Sequence, residues 1–529
     1  MFRSSGSKKA LTIASRVAGW GLMALAAAWF LYCVIRGGYF VFGSDTEINL
    51  RDPFLIITKT LALVLLALLF LGKKECIVPL LRFAGTKAGM WSLTGITALA
   101  FVIITLLRFY LFYDHANDMA LFDHYLYNLS HGFRTMCFAN YPKNIFSDHI
   151  WLLFYPYSLV YRLGGIYGVM IVHKVLLAGI IPLSFLLAKS LRWEQERIGF
   201  LVIIVAIVPR FLSTGVGTLY LETMFFPLGI AALWAFWSRR WLWLVLVSLF
   251  MLGLREDGGL VLGFISIYFA LSRKNWKWLV LAGASFLISL ALIQWQTTLP
   301  GFAASRLYVR YGIKSLTDFS GLLRLTVKPF GPKAIAGFVL LCLGFGFLPF
   351  LSWRGILSSY LSAMPNLASK FINQATLRGY YGNFVYPLLF AGVVETIPKL
   401  SQSSFRTHAS IALALALLLG PREFSRRFDR NYFESATRAI SLVPRNAPVA
   451  STSSVGSKLG ARDTIYILTN FEVDSQSRRL EKAPFVIIEE TDVYYRHHWQ
   501  RALDYLKSSG YTEQFSGGGV HLLVRKQNP

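Results

Sequence analysis

The chain is 529 residues long, 55% hydrophobic and only 15% charged, with 53 Lys and Arg against 27 Asp and Glu. Soluble domains carry roughly a quarter charged residues, so this is a membrane composition. It excludes a disordered chain, a collagen-like fibre and a disulfide-stapled miniprotein. The net charge of +26 suggests nucleic acid until it is divided: residues 421–529 hold 16 basic and 12 acidic side chains, and residues 1–420 hold 37 and 15. Most of the excess flanks apolar runs, so membrane lipids are the expected neighbours and nucleic acid is not.

A helix needs about 20 mostly apolar residues to cross the hydrocarbon core. Thirteen segments are expected to do so, near 17–42, 54–72, 90–113, 163–187, 198–212, 219–237, 241–254, 258–271, 278–298, 334–351, 355–371, 381–397 and 408–420. The first follows Arg3, Lys8, Lys9 and Arg16 and runs on through Trp29, Phe30 and Ile35. That is too long for the ~7–15-residue apolar core of a signal peptide, so an uncleaved anchor is expected. With the N-terminus in the cytoplasm, Lys73, Lys74, Arg82, Lys87, Lys189, Arg192, Arg197, Arg239, Arg240, Arg273, Lys274 and Lys277 all fall inside, as positive-inside bias requires. The cysteines Cys33, Cys76, Cys137 and Cys342 have no paired spacing and read as small hydrophobes.

Under this orientation eleven of the fifteen acids before residue 421 gather on the external side: Asp45, Glu47, Asp52, Asp114, Asp118, Asp123, Asp148, Glu222, Glu256, Asp257 and Asp318. Positive-inside bias says little about acids, so their clustering needs a cause of its own. The first external loop, residues 114–150, carries Asp114, Asp118, Asp123 and Asp148 with His115, His124, His131 and His149. If 118–131 is helical, Asp118 and Asp123 lie about 140° apart, and His124, Asn128 and His131 share a face. His and Asp are suitable metal ligands, but no tight zinc spacing occurs, so a divalent metal is left open and no cofactor is assigned. A solvated polar loop is the bland reading.

Arg255, Glu256 and Asp257 sit between apolar runs of 14 residues each, short for a crossing, which places the charged tip below the outer surface. Charges at that depth usually serve a site or a pathway, although Arg255 neutralising one carboxylate would suffice. Gly258 and Gly259 suit a sharp turn or close backbone approach. Glu222 faces the same compartment. The loop 299–333 has Arg306, Arg310, Lys314, Arg324, Lys328 and Lys333 against Asp318 alone; guanidinium forks there would suit a phosphate-linked lipid, or plain anionic headgroups. The tail from 421 is polar, with short apolar runs at Ile465–Leu468 and Phe485–Ile488, an amphipathic helix over His498–Ser508 ending at Gly510, and a strand at Val520–Val524. It reads as a small external α/β domain.

The run Asp118-Met119-Ala120-Leu121-Phe122-Asp123-His124 resembles the D-L-G-I-F-D-Q-like motif of the bacterial family of predicted membrane proteins called domain of unknown function 2079. His149 before IWLLFYPYSLVYRL, and Arg255-Glu256-Asp257 in place of that family's K-E-D, extend the resemblance over residues 90–529. His124 stands where the family prefers Gln, and the segment at Glu222 reads YLET where a His-Pro-Glu type motif is expected. The layout also resembles the GT-C-type polytopic glycosyltransferases that use lipid-phosphate sugars.

The expected architecture is therefore an α-helical polytopic membrane protein: residues 1–89 as two N-terminal helices, 90–420 as a GT-C-like transmembrane domain, and 421–529 as an extracytoplasmic α/β domain. The resemblance implies a bacterial inner-membrane glycosyltransferase acting on the outer face, passing a sugar from a polyprenyl-phosphate donor to an envelope glycan, lipid or protein. Asp118, Asp123, Glu256 and Asp257 are its candidate catalytic residues. His124, His149, Glu222, Arg255, Arg306 and Arg310 are candidates for binding substrate. Two other classes stay open, a transporter or flippase of a lipid-linked glycan and a non-catalytic membrane assembly protein.

Overall fold

The computed structural model describes residues 5–36, 39–42, 46–49, 53–112, 117–132, 135–138, 141–144, 146, 149–217, 219–299, 327–420, 429–468, 483–492 and 498–526. Each of the thirteen expected segments falls on a helix, and the chain is mostly helical. Among the described residues, four stretches are long and apolar enough to cross a membrane: Thr12–Leu31, Lys87–Tyr110, Phe154–Ser190 and Lys277–Thr297. Leu221–Trp237, Trp241–Leu254, Gly258–Arg273 and two others are apolar but shorter.

Helices α1 (Ser5–Arg36) and α2 (Pro53–Phe70) pack on each other, with a two-stranded hairpin, β1 (Tyr39–Phe42) and β2 (Thr46–Asn49), between them in the chain. The short helix α3 (Val78–Ala84) leads to α4 (Lys87–Tyr110), whose first turn is capped by the Thr86 hydroxyl accepting from Gly89 N at 2.9 Å. Then come α5 (Asn117–Ser130), strands β3 (Thr135–Phe138) and β4 (Tyr141–Asn144), α6 (Phe154–Ala178), α7 (Ile180–Ser190), α8 (Gln195–Ile207) and α9 (Pro209–Val216). Helices α10 (Phe225–Trp237), α11 (Trp241–Leu254), α12 (Gly258–Arg273) and α13 (Lys277–Thr297) follow the expected segments within a few residues, except that a 3₁₀ turn at Leu221–Met224 precedes α10.

Several expected spans are not single straight helices. The one expected at 198–212 breaks at Val208, between α8 and α9. The one expected at 163–187 bends at Gly165, whose φ of 57° no helix accommodates, and restarts after Gly179. In 334–351 the helix stops at Leu343, and Gly344–Phe347 runs extended into a 3₁₀ turn at Leu348–Leu351. Gly346 holds a φ of +69°, and a Cβ there would stand 2.7 Å from the Ala412 methyl. The break thus lets that segment touch the later helix Gln402–Leu418.

The first loop is not a solvated excursion. Its β3–β4 hairpin forms the edge of a seven-stranded sheet with β5 (Val449–Ser451), β6 (Thr464–Ile467), β7 (Phe485–Glu489), β8 (Tyr511–Gly517) and β9 (Val520–Arg525). Strand β3 pairs in parallel with β6, Cys137 opposite Thr464. The first loop and the tail therefore share one side of the molecule and one sheet, although more than 300 residues of chain separate them. The tail elements lie where the periodicity placed them, with Trp499–Ser508 helical and Gly510 at a φ of +87° beyond it.

Helices α3 and α8 cross at near backbone contact, because a Cβ on Gly199 would sit 1.7 Å from the Leu81 carbonyl oxygen. Gly199→Val is expected to force the two apart, at about 1–3 kcal/mol or more. The check is thermal unfolding of purified protein in detergent, where the variant should show a lower Tm or no monodisperse peak.

Candidate active site

Helix α11 ends at Leu254, where the chain turns to extended backbone at Arg255 and re-enters a helix after Asp257. The turn closes with Gly258 N donating to Arg255 O at 2.9 Å. Both following glycines are sterically required. A Cβ on Gly258 would lie 2.0 Å from Met251 O, and one on Gly259 would lie 2.2 Å from Ser285 O on α13. The tight hairpin brings all three charged side chains together, Arg255 and Glu256 buried and Asp257 half-buried beside them.

Arg255, only 6% exposed, is the centre of that cluster. Its Nη1 donates to Glu222 Oε1 at 2.8 Å, and its Nε stands 3.4 Å from both Glu256 Oε1 and Asp257 Oδ1. Glu222 is delivered by the 3₁₀ turn that opens α10. Glu256 is held further by His149, whose Nδ1 lies 2.6 Å from Oε1, and by Ile150 N, which donates to Oε2 at 3.0 Å. An ionised carboxylate can only accept, so His149 Nδ1 carries the proton. The linker bearing His149 is tied to α11 by Leu152 N donating to Gly253 O at 2.9 Å.

The two hairpin carboxylates are driven in opposite directions. Burial pushes Glu256 up, but His149, Arg255 and the Ile150 amide outweigh it and hold the group well below the usual carboxylate range. Burial also pushes Asp257 up, and Arg255 offsets this only in part because Glu256 and Glu222 repel its charge, leaving it at about 6. Among the described residues, Asp257 Oδ1 and Glu222 Oε2 accept no hydrogen bond. Paired titratable groups with environments that split them this way are how sites separate a fixed charge from a working acid or base.

Asp123 belongs to a second centre. Helix α5 runs unbroken through Asp118 and Asp123, so the two diverge as the helical spacing requires, with Asp118 half-buried in the first turn and Asp123 fully buried. Tyr161 OH donates to Asp123 Oδ1 at 2.8 Å. Gly460 of the tail lies directly on it; a Cβ there would meet Asp123 Oδ2 at 2.7 Å. Burial raises Asp123 to about 7, opposed by the Tyr161 hydroxyl, the Ala461 backbone and the Lys458 charge. His124, also buried, turns Nδ1 to the Gly460 carbonyl at 3.2 Å, with Asn128 Nδ2 3.2 Å from Nε2. Burial lowers its pKa to about 4, so it is a neutral strut between α5 and the tail. Lys458 Nζ lies 3.6 Å from the Phe109 ring centroid, with Tyr110, Phe112 and Tyr167 around it, a cation–π clamp on the end of α4.

An aromatic wall joins the centres. Trp151 packs on Phe122 (5.0 Å), Tyr125 (5.4 Å) and His149 (4.9 Å), so residues next to Asp123 border the Arg255 cluster. Below it Tyr157 OH meets His173 Nδ1 at 2.9 Å, and His173 Nε2 meets Thr223 Oγ1 at 3.1 Å, beside Glu222. Next to His173, Lys174 is fully buried, with Nζ donating to Thr214 O at 3.4 Å. Sequence reasoning passed over Tyr161, Gly460, Lys458, His173 and Lys174. A lysine and a histidine within an apolar run were a usable signal for the last two. Arg306, Arg310, Asp114, His115 and Asp148 lie outside the described residues. Among the described residues, no three of His, Cys, Asp and Glu are placed to share a metal ion.

Residues 108–516 match a family described as "Predicted membrane protein (DUF2079)". No curated protein matches. Among solved structures, ArnT from Cupriavidus metallidurans bound to undecaprenyl phosphate is similar at a TM-score of 0.47 and 11% identity, over 82% of this chain and 100% of that one. The apo form of ArnT gives 0.46 and 10%, over 82% and 99%. At these TM-scores the likeness assigns no activity.

A carboxylate raised by burial favours its protonated form, so the folded state gains from Asp123 below pH ~4 and loses that gain as pH rises through about 7. Asp123→Asn, which keeps an oxygen for Tyr161, is expected to raise Tm by a few degrees at pH 8 and to match wild type near pH 4. Thermal unfolding across that range checks this. Arg255→Met should destabilise by about 3–5 kcal/mol, because it leaves buried carboxylates without their counter-ion; a Tm within 1–2 °C of wild type would contradict the arrangement.

Proposed function

Since the chain belongs to the DUF2079 family of predicted membrane proteins, and is an integral membrane protein with Glu222, Glu256 and Asp257 drawn together around Arg255, we propose that this cluster transfers a sugar. The donor is a polyprenyl-phosphate sugar and the acceptor a hydroxyl of an envelope glycan, lipid or protein on the extracytoplasmic face of the inner membrane. The observation that carries the reading is the unequal pairing of three carboxylates around Arg255: Glu256 is also held by His149 and Ile150 N, whereas Asp257 Oδ1 accepts no hydrogen bond among the described residues.

In the proposed step the acceptor oxygen attacks the anomeric carbon, the bond from that carbon to the phosphate oxygen breaks, and the electron pair leaves with the lipid phosphate. The hydroxyl proton passes to Asp257, whose pKa of about 6 suits a base working near neutrality. Glu256 remains ionised and positions Arg255 and His149. Asp118, half-buried at the start of α5, is the alternative base; Asp123 is covered by Gly460 and Tyr161 and takes a structural part. Arg255 already faces three carboxylates, so charge developing on the phosphate falls to the basic loop 299–333, with Arg306 and Arg310 its first candidates.

A second reading, movement of a lipid-linked glycan across the bilayer, draws on one observation: His173 and Lys174 are buried polar groups inside α6, beneath the cluster. Such a carrier would relocate the glycan without breaking the bond to phosphate.

With protein in nanodiscs and a donor it consumes, turnover should fall as pH drops through about 6, and Asp257→Asn should lose a factor of about 10²–10⁴ while keeping its Tm. Turnover lost in Asp118→Asn but kept in Asp257→Asn would move the base to α5. Turnover unchanged in both would end the assignment of either residue.

A further inference from the structure

At the other end of α10, α11 and α12 from the carboxylate cluster, a cavity of about 670 Å³ opens among helix ends. Four arginines line it, Arg192, Arg197, Arg273 and Arg354, against two glutamates, Glu194 and Glu395. Among the described residues no lysine lines it, although Lys189, Lys274 and Lys399 stand close by in the chain. The arginines arrive from separate elements: the α7–α8 turn, the first turn of α8, the last turn of α12, and the start of the helix Trp353–Leu367.

The inner pair is held in place. Arg354 Nη1 donates to Glu395 Oε1 at 2.7 Å, and Glu395 also accepts from Ser352 Oγ at 2.8 Å and Lys399 Nζ at 3.1 Å. Arg197 caps the Ile397 and Leu400 carbonyls at 3.1 and 3.0 Å. Among the described residues, Arg354 Nε is buried with no acceptor. The outer pair is exposed: Arg192 makes no side-chain hydrogen bond or ion pair among the described residues, and Arg273 has only the Phe236 ring, 5.4 Å away. Trp193, Trp237 and Tyr268 also form part of the wall. Glu194 is 69% exposed, so water screens its charge, and Glu395 is already shared by Arg354 and Lys399.

Rigid guanidinium forks with spare donors, positive excess and a concave shape are the requirements of a phosphate site rather than of diffuse surface charge. We propose that this cavity binds a phosphate monoester, carried either on a membrane lipid headgroup or on a soluble ester. The site is separate from the carboxylate cluster and does not rest on the sugar-transfer reading.

The test uses the full chain in neutral phosphatidylcholine nanodiscs. One arm titrates sn-glycerol 3-phosphate by calorimetry; the other adds phosphatidic acid to the discs and counts retained lipid by native mass spectrometry. Wild type should bind in at least one arm, and the arm that binds names the source. Arg192→Ala/Arg273→Ala should weaken that binding at least 10-fold with Tm unchanged, and Arg192→Ala alone supplies a milder variant should the double one unfold. Lys189→Gln/Lys274→Gln should bind as wild type. Absence of binding in both arms, retention in the arginine variants, or an equal loss in the lysine variant overturns the site.

Discussion

A guanidinium that is 6% exposed and faces three carboxylates sets the terms for this half of the molecule. Ions at that depth are costly unless paired and hydrogen-bonded, and each partner of Arg255 constrains a different element. Glu222 fixes the 3₁₀ turn before α10, Glu256 brings in His149 and the linker before α6, and Gly258 and Gly259 allow the hairpin to close against α11 and α13. One cation cannot satisfy three anions equally. Glu256, with His149 and a backbone amide to itself, keeps its charge; Asp257 is left as the group whose charge is easiest to lose. That inequality, more than the presence of acids, gives the cluster a chemical direction.

The tail has a part in the same arrangement. By sharing a sheet with the β3–β4 hairpin and resting Gly460 on Asp123, it presses α5 onto the bundle, and Phe122 and Tyr125 carry that contact to Trp151 and His149. The Lys458 clamp on α4 fixes the other side. The tail is thus a structural neighbour of the carboxylate cluster through an aromatic wall, and α5 is the element through which it acts.

What is legible in the sequence divides by range. The charged triplet 255–257 stands out because charges between two short apolar helices are costly unless they are paired or serve a site, and the two glycines after it mark the turn. His149 is marked by the family resemblance. Glu222 is weak in isolation, since its meaning depends on Arg255, 33 residues away. The stop at Leu343 has visible punctuation in Gly344, Gly346 and Pro349. The pairing of Cys137 with Thr464 has no local signal, because four-residue strands within a loop have no periodicity to reveal, and nothing around Gly460 marks it as the cover of Asp123. The helical spacing of Asp118 and Asp123 does separate their directions, and the structure adds the reason that matters: one side chain is half-exposed at a helix start and the other is sealed beneath the tail.

The proposed transfer breaks the bond between a sugar and a lipid phosphate, and the most direct measurement follows that bond: phosphorus NMR of wild-type protein in nanodiscs incubated with a panel of polyprenyl-phosphate sugars and envelope acceptors. Sugar transfer at this cluster predicts that one donor yields free polyprenyl phosphate, and that the signal falls to background with Asp257→Asn, which leaves the Arg255–Glu256–His149 pairing in place. Intact donor throughout the panel, or free polyprenyl phosphate formed equally by the Asp257→Asn protein, would contradict it.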